Sequence, residues 1–198
     1  MISQFIDLVK EIFPCISNAS VEELKTALKE FSEKQHRVDF FDHCIKDVLT
    51  QGDVLSEMNF LSLDEQGNPS KFKSKALVLS NTCACQRETN IIIAPMLSLS
   101  EESMETLRIS DLQNNLIYRI LYFPDKRNYS NFYVDLNRIT SVPRKLLFEA
   151  MEKEIIKRES SLSLLGYYLL ICKLSVYLMR PEDSIINESR YFPSFNLT

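Results

Sequence analysis

Residues 52 to 96 read GDVLSEMNFLSLDEQGNPSKFKSKALVLSNTCACQRETNIIIAPM, and this stretch decides the fold. It contains three short apolar runs, at Val54 to Leu63, Ala76 to Ser80 and Ile91 to Ala94. Short apolar runs that are bounded by turn-forming residues are typical of β-strands. The turn formers between Asp64 and Ser70 therefore predict that the first two strands form a hairpin.

Two further apolar runs, Leu116 to Phe123 and Phe132 to Leu136, continue this pattern to about residue 140. No long helix is regularly placed between the runs, so they favour a mostly antiparallel, strongly curved sheet over a βαβ array. Such a sheet closes naturally into a small barrel. The predicted fold class is α+β, a small antiparallel β-barrel flanked by N-terminal and C-terminal helices.

Helical patterns lie on both sides of the strand region. The first fifty residues predict helices, including a short one from Phe40 to Leu49. A helix is predicted to begin at Pro143, and a mostly apolar one is predicted from about Ser160 to Met179. The chain thus divides into an N-terminal helical segment (1–50), a barrel (51–142), and C-terminal helices with a docked aromatic tail (143–198).

The composition is that of an ordinary globular protein. The chain has 198 residues, 45% hydrophobic and 25% charged, with a net charge of -4. This charge argues against a surface that attracts phosphates everywhere, so nucleic-acid binding would be local. There is no signal-peptide pattern and no apolar run long enough for a membrane span, and the five cysteines have no regular spacing. The predicted location is the cytoplasm, with no membrane contact.

Four motifs occur in a familiar order. Gly52-Asp53-Val54 comes first, followed by KALVLSN at 75–81, IIIAPM at 91–96 and VDLNRITSV at 134–142. In order and spacing they resemble the PemK/MazF-type toxins, whose corresponding segments are Gly-Asp-Ile/Val, "VLSN"-like, "IVAP"-like and "VDLDQIRTV"-like. The resemblance covers roughly residues 52 to 150. It implies an SH3-like barrel, usually dimeric, which in active members cuts single-stranded RNA without a metal.

The resemblance also shows where catalytic residues are expected. Active members use an arginine in an Arg-Pro pair and a hydroxyl residue just after the "IVAP"-like strand to stabilise the pentacoordinate phosphate. Here the arginine position falls at Ser74 or Lys75, and the hydroxyl position falls at Leu97. Lysine offers a point charge and not the bidentate fork of arginine. The resemblance is therefore to a degenerate member. The catalytic candidates are Lys75, Ser80, Thr82 and Ser98.

The segment SNTCAC at 80–85 looks like a variant of the "SQTCD"-like motif of uncharacterised bacterial barrel proteins, with Ala84 in place of the acid. Weak candidates for a Cys3His zinc site are Cys83, Cys85, His43 and Cys44. A thiol nucleophile at Cys83, with His43 or His36 as base, is a further alternative. A single Cys-x-Cys pair is weak spacing evidence, so we expect no metal and no cofactor.

Basic and aromatic residues alternate between residues 119 and 133, a mixture that suits base stacking beside a charged groove. It also suits an aromatic hairpin that covers a barrel core. The nucleic-acid-binding candidates are Arg119, Lys126, Arg127 and Tyr129.

Together these observations favour a non-catalytic or degenerate toxin-like barrel that acts as a protein-interaction module, in a bacterial or phage-borne defence or toxin–antitoxin-like system. The expected partner is another protein or a second copy of the chain. The alternatives are a metal-independent endoribonuclease and an RNA- or DNA-binding module without cleavage, for which single-stranded RNA is the candidate ligand.

Overall fold

The computed structural model describes residues 40–44, 48–99, 109–123 and 132–179. The strands are β1 (Phe41–Asp42), β2 (Asp53–Leu63), β3 (Pro69–Val78), β4 (Asn90–Ser98), β5 (Ile120–Tyr122), β6 (Phe132–Asp135), β7 (Thr140–Pro143) and β8 (Arg158–Leu162). The helices are α1 (Thr82–Arg87), α2 (Ile109–Gln113), α3 (Arg144–Glu152) and α4 (Leu164–Leu178), and a short 3-10 helix (Leu136–Arg138) follows β6.

All strand pairs of the sheet are antiparallel, in the order β1-β8-β2-β3-β4-β6-β5, with β7 also paired to β4. Strand β4 is central. It pairs with β3 along one side, and with β7 and then β6 along the other. The predicted α+β class with a mostly antiparallel sheet is confirmed.

The two ends of the sheet meet through side chains. Phe41 lies in β1 at one end, and Phe123 directly follows β5 at the other. Their rings are in edge contact, with centroids 4.9 Å apart. Because the ends of the strand order come together in this way, the sheet curls into the predicted barrel shape.

The sheet has apolar clusters on both faces. The inner cluster fills the curve of the barrel and includes Val54, Leu77, Met96 and Val134. On the outer face, one cluster joins β2, β3 and β4 to α3, and a second joins Leu97 and the β5–β6 pair to Leu112 of α2. Each strand of the middle of the sheet therefore has both faces covered, which explains why its sequence reads as nearly continuous apolar runs.

The β2–β3 hairpin extends beyond the barrel. Strand β8 pairs with β2 only at Asp53 to Leu55, and β4 pairs with β3 only at Lys75 to Val78. A bulge between Leu55 and Met58 marks the transition. From there, residues 58–63 and 69–74 pair only with each other within the described part of the chain, and we call them the ribbon.

One helix prediction is wrong, and the last predicted helix begins later than expected. Phe40 to Cys44 are not helical, since Phe41–Asp42 form β1. Ser160 to Leu162 belong to β8, so the last helix begins only at Leu164. A short apolar segment suits a buried strand as well as a helix, and periodicity alone does not separate them. Both strands lie outside residues 51–142, yet both join the sheet.

Glycine at 166 allows α4 to pack closely over β1, because a Cβ there would lie 2.3 Å from the carbonyl oxygen of Phe40. In the ranges that the structure describes, no helix has the length and apolar character needed to cross a membrane. The helices predicted within residues 1–39 and the tail from residue 180 lie outside the described residues.

Candidate functional site

The resemblance assigns the catalytic arginine to Ser74 or Lys75 and the hydroxyl to Leu97, and two of these three residues, Ser74 and Leu97, serve the fold. Ser74 is buried, and its hydroxyl donates to the carbonyl oxygen of Met96 at 2.6 Å. Leu97 packs into the outer cluster of Leu112 and Ile120. Neither side chain offers a charge or a proton-transferring group to a substrate.

Lys75 is on the opposite face of β3 from Ser74, since side chains alternate along a strand. Its ammonium is held by the carboxylate of Glu159 in β8, with an N–O distance of 2.6 Å. Ser98 is on the same face, because Lys75 pairs with Met96 and Ser98 is two residues further along β4. The lysine charge on this face is therefore already matched by a carboxylate.

The other two catalytic candidates lie at the far end of β3, about 15 Å along the strand from Lys75. The Ser80 hydroxyl is buried and accepts a hydrogen bond from the backbone N–H of Ile92 at 2.8 Å. The Thr82 hydroxyl accepts one from the N–H of Gln51 at 3.4 Å. Both hydroxyls fasten the turn between β3 and α1, so the four candidates do not form one site.

A different group of residues forms a charged site on the outer face. The carboxylate of Asp135, at the end of β6, is nearly buried. Its Oδ2 atom lies 2.9 Å from Nη1 of Arg119 and 3.5 Å from Nε of Arg138, and its Oδ1 atom accepts from the N–H of Asn137. Two partly exposed guanidiniums thus share one carboxylate, which leaves a net positive charge.

Aromatic rings lie beside these charges. The Arg138 guanidinium lies over the ring of Phe72, 5.4 Å from its centroid, and Phe72 stacks on Phe60. Burial, followed by the charge of Asp135, raises the pKa of Tyr133, although Arg138 and Arg119 act in the opposite direction. We call Arg119, Arg138, Asp135 and Tyr133 the arginine site.

The arginine site adjoins Ser74 and Leu97. Phe72 is two residues before Ser74 on the same face of β3, and Tyr133 pairs directly with Leu97. Each guanidinium has five N–H donors, so a contact with Asp135 leaves donors for another oxygen ligand. The site therefore has the chemistry to bind an anion.

Of the nucleic-acid candidates, Arg119 is part of this site, whereas Lys126, Arg127 and Tyr129 lie outside the described residues. Arg138 was missed by the sequence predictions. The signal was available, since Val134 to Val142 was matched to a family motif, but only the fold places Arg138 opposite Arg119.

Lys173 of α4 fixes the segment that leads to Arg119. Its buried ammonium donates to the carbonyl oxygens of Asn115 and Ile117, at 2.8 and 2.7 Å. Burial lowers the pKa of Lys173 to about 8. This lysine therefore holds the backbone of the loop that precedes Arg119.

A second carboxylate, Asp53, is completely buried. It accepts from the backbone N–H and the hydroxyl of Thr50 and from the hydroxyl of Ser161, and Nε of Arg158 lies 3.0 Å away. The preceding residue, Gly52, has φ +89, and a Cβ there would lie 2.8 Å from the Leu162 side chain. The Gly-Asp motif therefore has a structural role that joins β2 to β8.

The cysteine candidates do not gather. Cys83 is exposed, as are His43 and Cys44, whereas Cys85 is buried. Because Cys83 and Cys85 are in α1 and not in an extended segment, their side chains diverge. Burial, with a smaller contribution from Asp53, raises the pKa of Cys85 to about 11. Among the residues described, no three His, Cys, Asp or Glu side chains are placed to hold a metal ion. His36 lies outside them.

The chain is thus an α+β protein with a curled antiparallel sheet and an arginine-lined outer face. No family model and no curated protein matches its sequence. Among solved structures it is similar to the MazE–MazF complex (form II) of Deinococcus radiodurans, with 12% identity and a TM-score of 0.41. That match covers 69% of this chain and 100% of the other.

Proposed function

We propose that this chain is a non-catalytic barrel of the toxin type that acts as a protein-interaction module in the cytoplasm, in a toxin–antitoxin-like or defence system. One observation carries the proposal. Ser74, one of the two residues to which the resemblance assigns the catalytic arginine, and Leu97, to which it assigns the hydroxyl, are both used by the fold. A barrel that has lost its phosphoryl-transfer groups keeps only its surfaces for function.

The contacts of Lys75 support the same conclusion. Catalysis by a lysine in place of the arginine would require an ammonium free to meet a developing phosphorane charge. Glu159 instead holds the Lys75 ammonium at 2.6 Å, and a phosphate would have to displace this carboxylate or lie next to its negative charge. Repulsion between the two anions opposes cleavage at this place.

The first experiment separates catalysis from binding. Purified protein is incubated with a labelled single-stranded RNA pool in EDTA, and cleavage and retention are measured together, with Lys75→Ala as a second sample. We expect no cleavage by either protein. Cleavage by the wild type that is lost in Lys75→Ala, together with growth arrest on expression that the same substitution abolishes, would establish the endoribonuclease instead.

The second experiment tests for a protein partner. We expect the tagged chain either to self-associate in solution or to retain a specific protein from a lysate of its source cells. A strictly monomeric protein that retains no partner would contradict the interaction module.

RNA or DNA binding without cleavage is a second candidate function, and the arginine site favours it. Two partly exposed arginines share Asp135, and one of them, Arg138, lies over the half-buried ring of Phe72, which combines phosphate-binding donors with an aromatic ring. If this function is correct, retention of the RNA pool falls with rising salt and weakens in Arg119→Gln and Arg138→Gln. A matched control is Lys153→Gln, an exposed position at the C-terminal end of α3. Equal retention by all three variants would exclude the arginine site.

A further inference from the structure

The two faces of the ribbon differ sharply. On one face, Met58, Phe60 and Phe72 pack into the outer cluster with α3. On the other face, three cross-strand pairs point away from the cluster: Asn59 with Lys73, Leu61 with Lys71 and Leu63 with Pro69. All six of these side chains are exposed. This second set is what we call the open face.

The leucine side chains of the open face are unusually exposed to solvent. Leu61 and Leu63 are 75% and 70% accessible, although they lie in a regular strand that has an adjacent apolar cluster on its other side. A sheet face that is both ordered and apolar, and that has no covering layer among the described residues, is the kind of surface that proteins use for recognition.

The charge of the open face has one sign. Lys71 and Lys73 are two residues apart in β3, so their side chains lie on the same face, about 7 Å apart. Neither makes an ion pair with a described residue. None of the six open-face residues is acidic, in a chain whose net charge is -4. A partner surface must therefore bring carboxylates together with apolar groups.

The edge of the ribbon is open as well. Residues 69–74 of β3 pair with β2 on one side, and no described strand pairs with them on the other. An open edge presents unpaired backbone donors and acceptors to which an extended segment can add. A second copy of the ribbon would place lysine against lysine, so the charges disfavour self-pairing and select an acidic strand.

The ribbon is held in shape without a partner. At its tip, the Asp64 carboxylate accepts hydrogen bonds from the backbone N–H groups of Gln66 and Asn68 and from the Asn68 side chain. These bonds, above all the one from the Asn68 side chain, lower the pKa of Asp64. A pre-formed surface lowers the entropic cost of binding.

We propose that the open face binds an acidic, partly apolar segment of a partner protein, which lies extended along the edge of β3. The glutamates or aspartates of this segment contact Lys71 and Lys73, and its apolar residues cover Leu61 and Leu63. Nucleic acid fits the open face less well, because this face carries no aromatic ring on which a base could stack, and Phe60 and Phe72 lie on the opposite face of the ribbon. The inference rests on the proposed function as an interaction module.

The test uses the full chain and a defined probe, a labelled peptide of alternating glutamate and valine, with binding followed by fluorescence anisotropy. The matched peptides carry lysine in place of glutamate, or N-methyl groups on alternate amides. We expect the glutamate peptide to bind and the other two to bind at least about tenfold more weakly, which corresponds to about 1.4 kcal/mol. Equal binding of the N-methylated peptide would overturn the strand-addition geometry.

Variants locate the binding on the ribbon. Lys71→Glu/Lys73→Glu and Leu61→Ser/Leu63→Ser should each lose at least about tenfold in affinity, since they remove the charges and the apolar contacts separately. The control Lys145→Glu/Lys153→Glu, in α3 and at its C-cap, makes the same change in net charge and should bind as the wild type. All six positions are exposed, and circular dichroism checks that each variant is folded.

The outcomes separate this inference from the proposed function. If the open-face variants bind the glutamate peptide as the control does, the docking surface is wrong, although the interaction module stands. If the protein retains the RNA pool, loses this retention in Lys71→Glu/Lys73→Glu and does not bind the peptide, the open face binds nucleic acid and the inference is overturned. RNA cleavage would overturn the proposed function itself.

Discussion

Among the described residues, the carboxylates of Asp53 and Asp135 both have arginine partners, and their surroundings differ. Asp53 is completely buried, and the Arg158 side chain beside it is only 11% accessible. Asp135 is almost as well buried, but its partners Arg119 and Arg138 are 38% and 47% accessible. The first group is enclosed by the fold, whereas the second presents its cations to solvent.

The difference separates a structural from a candidate binding role. Around Asp53, the hydroxyls of Thr50 and Ser161 complete a closed network between β2 and β8. A ligand has no route to such a group without unfolding the strand pair. Around Asp135, the carboxylate orients two guanidiniums that keep donors toward solvent. Residue type alone, an acid with an arginine, does not distinguish these cases.

The largest expected effect is on the free energy of unfolding, and it compares the two carboxylates directly. We expect Asp53→Asn to lower the free energy of unfolding by about 3–5 kcal/mol, since it removes one charge of a buried pair. Asp135→Asn should lower it by about 1 kcal/mol, because solvent screens its partly exposed arginines. Urea denaturation at neutral pH measures both. Equal losses from the two substitutions would mean that both carboxylates are structural.

We expect the same two variants to differ in how they bind the RNA pool. Asp135→Asn removes the negative charge from the arginine site and should strengthen retention of the RNA pool at low salt, if that site binds anions. Asp53→Asn should leave retention per folded molecule unchanged. A loss of retention in Asp135→Asn would indicate that the carboxylate is needed to hold the arginines in position.

Lys173 offers a third case for comparison. It is a buried charge in α4, and its hydrogen-bond partners are the backbone carbonyls of Asn115 and Ile117 and not a carboxylate. Its pKa is about 8 in the folded protein against 10.5 for the free side chain. Between these values the unfolded chain binds more protons than the native one, so stability rises with pH. Below pH 8 the full cost of burying the cation is present.

The measurement compares wild type with Lys173→Met across pH 7 to about pH 10, by urea denaturation at each pH. The difference in unfolding free energy, wild type minus variant, should rise with pH by up to about 3 kcal/mol. Subtraction removes the contributions of other groups, among them the tyrosines whose pKa values burial raises. A difference that stays flat would show that the lysine is not buried as a cation.

The smallest expected effect concerns Lys75, whose ion pair with Glu159 is partly exposed. Lys75→Ala should lower the unfolding free energy by less than about 1 kcal/mol, and Glu159→Gln should do the same. Adding 0.5 M salt is expected to remove most of the difference from wild type. A loss above about 2 kcal/mol would place this pair with Asp53 and Arg158, among the enclosed charges.

Much of the barrel could be predicted from local pattern. The runs after Gly52, before Asn81 and after Asn90 became β2, β3 and β4, and the turn formers between Asp64 and Ser70 became the tip of the ribbon. Strand β8 could not be predicted in this way. Its Ser160 and Ser161 are polar, and they are buried only because β1 and β2 lie on either side of them.

The candidate site was less predictable than the fold. Arg119 was a candidate for its aromatic neighbours in sequence, but Arg138, 19 residues later, comes beside it only because β5 and β6 pair antiparallel. Likewise, sequence listed Lys75 as a catalytic candidate, and it gave no sign of Glu159, which is 84 residues away.

The sequence by itself determined where the strands of the barrel begin and turn, because apolar alternation, glycine and turn residues act over a few neighbours. It also predicted that the arginine and the hydroxyl of the PemK/MazF-type motifs are replaced here, since Ser74 or Lys75 and Leu97 stand at the matched positions. Only the tertiary structure decided which charges are enclosed and which face solvent. Burial depends on residues far apart in the chain, and the same carboxylate–arginine pair becomes structural or available according to what covers it.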